Sequence, residues 1–250
     1  MSQVDGSIEI RFAGSQAALA KLEQFMGEEL ASFRSFRDCA VSYDPAEHSL
    51  DLDLDVRCED ILNFLGLVVS QLPEVGFSGE ADLDYVGCGE QYYAIYQHEP
   101  GGVFQMGEID GWEEDPFSLD LRHDSEEEER VSEWLNGLPF PVRNEADSDD
   151  GYYKGDYWVY EEYEQEVRLR AYAPTAEELG ALGEALKALA AQVPSLEGDT
   201  AYHNSDALIV VDIHPGQEAR VVTVPIEIIP TGREDEFEDD DDDDDDDELW

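Results

Sequence analysis

Residues 49–57 read SLDLDLDVR. Leu50, Leu52, Leu54 and Val56 alternate strictly with Asp51, Asp53 and Asp55. Successive side chains leave a pleated strand on opposite sides, so this period-two pattern describes a strand with one dry and one wet face. The wet face carries Asp51, Asp53 and Asp55, about 6.6–6.8 Å apart along the strand. Asp44 and Pro45 start a turn just upstream, and residues 39–43 form a short strand before it. Before them, residues 16–31 place Leu19, Leu22, Phe25, Met26 and Leu30 at helical spacing behind Ser15, a suitable N-cap. Residues 7–13 (SIEIRFA) alternate again, with Ile8, Ile10 and Phe12 inward and Glu9 and Arg11 outward. Downstream, residues 59–72 form an apolar helix stopped by Pro73. Residues 77–86, 91–98 and 103–106 read as strands, separated by turns at Gly87, Cys88 and Gly89 and at Gly101 and Gly102. Strand, helix, strand, strand, helix, strand is the split βαβ order of ferredoxin-like folds.

The second half has a similar plan. Residues 167–173 (VRLRAYA) form a strand, and Pro174 and Thr175 open a helix running to about Gln192 on Leu179, Leu182, Leu186, Leu189 and Val193. Residues 200–203 and 207–213 pair as a hairpin about Asn204, Ser205 and Asp206, and residues 219–229 add a strand. Ile8 and Ile10 correspond to Val167 and Leu169, and Leu19 to Leu179. The expected fold is therefore α+β, with two ferredoxin-like β-α-β-β modules from an internal duplication, antiparallel sheets that share an edge or abut, and a disordered acidic tail. The expected divisions are a first module with extra strands at 1–110, an acidic connector with one short helix at 111–151, a second module at 152–233 and the tail at 234–250.

Composition sets the function class. The chain has 63 acids, 14 Lys plus Arg and a net charge of −49, whereas magnitudes of roughly 2–8 suit a small domain. Residues 234–250 hold 14 acids and no base, which leaves 49 acids against 14 bases and a net of −35 for residues 1–233. Since 42% of the residues are hydrophobic and 10% aromatic, there is material for a core. Nucleic acid and anionic lipid bind through Lys and Arg, and no basic cluster exists here, so direct binding to either is excluded. No signal peptide or membrane span is read, and Cys39, Cys58 and Cys88 are odd in number and widely spaced. These features give a cytoplasmic expectation.

Three stretches are candidates for partner binding. Asp51, Asp53 and Asp55, with Glu80, Asp82 and Asp84 on a later strand, make an anionic sheet face with phosphate-like spacing. The plainer reading is the solvated side of a strand. Tyr152, Tyr153, Tyr157, Trp158, Tyr160 and Tyr163 are interleaved with Glu161 and Glu162. Aromatic side chains anchor interfaces, and the carboxylates would select a basic partner. The plainer reading is a strand with core aromatics. The tail runs as unbroken aspartate over residues 239–247 and closes with Glu248, Leu249 and Trp250. This tip resembles the acidic, hydrophobic-ended C-terminal tips of bacterial and phage single-stranded-DNA-binding proteins. The resemblance implies docking on a partner protein through Leu249 and Trp250. The body lacks the basic, stacking groove of those proteins, so binding to single-stranded DNA is not implied.

Catalytic and metal signatures are missing. His48, His98, His123, His203 and His214 are scattered, no calcium-loop pattern occurs, and acids are too abundant to single out a general acid–base pair. No enzyme, cofactor or metal is expected. The expected function is that of a DNA-mimic inhibitor, of the anti-defence or immunity type, that covers the basic surface of a nucleic-acid-handling protein such as a nuclease, a restriction or defence factor, or a toxin. Two alternatives stand beside it: an acidic-tailed accessory or chaperone-like protein shielding basic partners, and an ordinary protein of a high-salt cytoplasm. Self-association into a homodimer stays open.

Overall fold

The alternating and helical patterns become elements in the computed structural model, which describes residues 3–30, 40–53, 58–86, 90–109, 116–144 and 158–231. The first half runs β1 (Gln3–Ala13), α1 (Gln16–Glu29), β2 (Ala40–Asp44), β3 (Ser49–Asp53), α2 (Cys58–Gln71), β4 (Gly76–Val86), β5 (Glu90–His98) and β6 (Phe104–Ile109). The second runs β7 (Phe117–Arg122), a 3₁₀ turn (Ser125–Glu127), α3 (Glu128–Asn136), β8 (Val142–Asn144), β9 (Trp158–Tyr163), β10 (Glu166–Ala171), α4 (Ala176–Ala190), β11 (Gly198–His203), β12 (Ala207–Ile213) and β13 (Arg220–Ile228). Among the described residues this is a mixed α+β fold.

Local chemistry sets the helix starts. The Ser15 hydroxyl accepts the Ala18 N–H at 3.2 Å and opens α1. At α4 the Thr175 hydroxyl accepts the Glu178 N–H at 3.2 Å, while the Glu178 carboxylate accepts the Thr175 N–H at 2.9 Å. This capping box satisfies two amides that the helix itself leaves unpaired.

A nine-stranded sheet has the order β11-β12-β13-β6-β5-β4-β1-β3-β2. Within it β4, β1, β3 and β2 are neighbours and every pairing among them is antiparallel. Ile8, Ile10, Leu50, Leu52 and Ala81 turn inward and form one core with Leu22, Phe25 and Met26 of α1 and Ile61, Phe64, Leu65 and Val68 of α2. Helix α2 also packs against β11, β12 and β13, so its whole run from Ile61 to Val68 is buried. Gly66 permits the approach, since a Cβ there would lie 2.7 Å from Val210 Cγ2.

Strand β12 shows why its sequence, ALIVVDI, is nearly all apolar. Leu208 and Val210 belong to the α2 core, whereas Ala207, Ile209, Val211 and Ile213 face a second core with Leu179, Leu182, Leu186 and Leu189 of α4. A strand covered on both faces needs a continuous hydrophobic run rather than an alternating one.

A four-stranded sheet, β7-β10-β9-β8, continues this second core. It meets the larger sheet where β7 abuts β11. There the Arg122 N–H donates to the Glu197 carbonyl at 2.7 Å and the Glu197 N–H returns to the Arg122 carbonyl at 2.9 Å.

Three expectations change. The sheets are mixed, because β13 runs parallel to β6 and β8 parallel to β9. The second half does not repeat the pairing of the first: β1 pairs with β3 and β4, whereas β10 pairs with β7 and β9. The stretch read as a connector supplies β7, α3 and β8. Phe117, Leu119 and Leu121 of β7 are buried, so this strand closes the second core rather than linking two modules.

Candidate functional site

The side of β1, β3 and β4 opposite the α1 and α2 core is a polar surface. Register decides which groups meet there. Glu9 is paired with Asp51 on one side and Glu80 on the other. Asp51 continues to Ser42 and Glu80 to Ile95. One row across the sheet therefore reads Ser42, Asp51, Glu9, Glu80, Ile95. All of its members except the half-buried Ile95 are exposed. Neighbouring strands lie about 4.7–4.9 Å apart, so carboxylates stand beside one another on β3, β1 and β4. Like charges directly opposite across strands are destabilising. The fold carries that cost on this face.

The only described cation on these three strands is Arg11, one row away, which holds Glu9 at 2.6 Å with its side chain 69% exposed. Its guanidinium is pushed above its usual pKa, first by the hydrogen bond to Glu9 and then by the charges of Glu9, Glu47 and Asp51. Arg11 offsets one charge of the row, so Asp51, Glu9 and Glu80 keep an excess of two negative charges. The next row sets Asp53 and Asp82 as the partners of Ser7, and Asp84 pairs with Asp5 beyond it. The backbone register thus brings together five of the six sheet-face acids expected from the sequence. Asp55 lies outside the described residues.

The outer face of the smaller sheet is different. Arg168 takes Asp120 with both ends of its fork, Nε at 2.6 Å and Nη2 at 3.2 Å. That hydrogen bond, and then the Asp120 charge, raises the Arg168 pKa. Arg170 pairs with Glu161 at 3.2 Å and Arg122 with Glu166 at 3.2 Å. The acids of this face are matched by arginines from adjacent strands.

This arrangement takes apart the aromatic-acidic candidate. Trp158 is 2% exposed and stacks on Phe140 with ring centres 4.5 Å apart, so it is core. Tyr160 is half-buried against the same core. Glu161 is held by Arg170 and also accepts the Tyr163 hydroxyl. That bond raises the Tyr163 phenol above its usual pKa. Among the described residues of this candidate, Glu162 and Tyr163 are the exposed ones. Tyr152, Tyr153 and Tyr157 lie outside the described residues, as do Leu249 and Trp250.

The sequence reading missed two features. Glu9 was placed on the outer face but not in the acidic set, because a single Glu gives no local sign that it will stand between Asp51 and Glu80. An open groove of about 550 Å³ is lined by Ser125, Glu126, Glu128, Glu129 and Glu133 along the α3 side, with Glu162 from β9. The charged face of an amphipathic helix accounts for it. Among the described residues no group of His, Cys, Asp or Glu is placed to hold a metal ion. No described helix is long and apolar enough to cross a membrane. No family model and no curated protein matches the chain.

Proposed function

We propose that this chain binds a basic protein surface through the open face of β3, β1 and β4, and that it acts as an inhibitor covering the nucleic-acid site of its partner. The observation that carries the reading is the row Asp51, Glu9, Glu80, which is exposed and, on the described residues of these three strands, sets three carboxylates against the single cation Arg11. Elsewhere the protein places arginines against its sheet-face acids, so the unbalanced face is a local feature and not a consequence of composition alone. The β4-β1-β3-β2 order supports it further. In ferredoxin-like RNA-recognition modules the corresponding open sheet presents aromatics to bases, and here it presents carboxylates in an anionic pattern. Fixed charge of one sign steers an oppositely charged partner into encounter and excludes phosphates.

Capture from a cell lysate tests the reading, with two baits. One is the unaltered chain and the other carries Glu9→Gln, Asp51→Asn and Glu80→Gln. The expected result is a basic nucleic-acid-handling protein recovered at low salt by the first bait and lost from the second. Recovery of the same protein by both baits would contradict the assignment of the face.

A further inference from the structure

We draw no further inference here: the strongest candidate, the open groove of about 550 Å³ along α3 whose lining includes Glu126, Glu128, Glu129 and Glu133 with Glu162 from β9, is a cluster of carboxylates in which no second feature among the described residues points to an occupant.

Discussion

Trp158 shows what a single residue decides. Its ring stacks on Phe140 at 4.5 Å and meets Phe117 edge-on at 5.1 Å. Trp158→Ala should therefore lower stability by about 3–5 kcal/mol, the usual cost of emptying an aromatic core site, read as a loss of melting temperature. Tyr163→Ala, at a position 52% exposed, should change stability by no more than about 0.5 kcal/mol. The sequence showed that alternate aromatics in this stretch would be buried. It could not show which, because parity depends on the pairing of β9 with β10. His98 makes the opposite case. It is 4% exposed, and among the described residues neither ring nitrogen has a hydrogen-bond partner. Burying a polar group without a partner costs about 1–3 kcal/mol. His98→Leu, apolar and of similar size, should raise the melting temperature; a fall would show that the imidazole is bonded in solution.

At the scale of elements, the seam between β7 and β11 is where the fold departs most from what the sequence announced. The alternation FSLDLR in β7 is as clear as that of β3, yet it sits among acidic runs that read as a connector. Local pattern gives a strand but not its partner, and the pairing of β13 with β6 joins residues more than a hundred positions apart. The first half was more legible because its partners are close in sequence and its hydrophobic faces alternate cleanly. Gly198 marks the seam, since a Cβ there would lie 2.8 Å from the Asp120 carbonyl oxygen and 2.8 Å from Leu121 Cδ2. A backbone carbonyl cannot swing aside. Gly198→Val should cost about 1–3 kcal/mol or more through overpacking, measured by denaturant unfolding.

The whole molecule is bound together by these long-range contacts. Helix α2 from the first half is seated against β11, β12 and β13 of the second, and Arg220 of β13 pairs with Glu29 of α1. Both halves should unfold in one cooperative transition, with fluorescence and far-ultraviolet circular dichroism tracing the same curve. The net charge of −49 opposes compaction, and salt screens it over a length of about 10 Å at 0.1 M. Added salt should therefore raise the melting temperature while weakening association with a basic partner. The acidic face was legible as a face, from the alternation of β3 and β4. Its central row was not, because it exists only once register places Glu9 between Asp51 and Glu80.

The most direct measurement is displacement of labelled duplex DNA from the captured basic partner, followed by fluorescence anisotropy. The account predicts that the unaltered chain releases the DNA competitively and that the Glu9→Gln, Asp51→Asn, Glu80→Gln variant, folded by circular dichroism, does not. A ternary complex that keeps the DNA bound, or equal release by the variant, would contradict it.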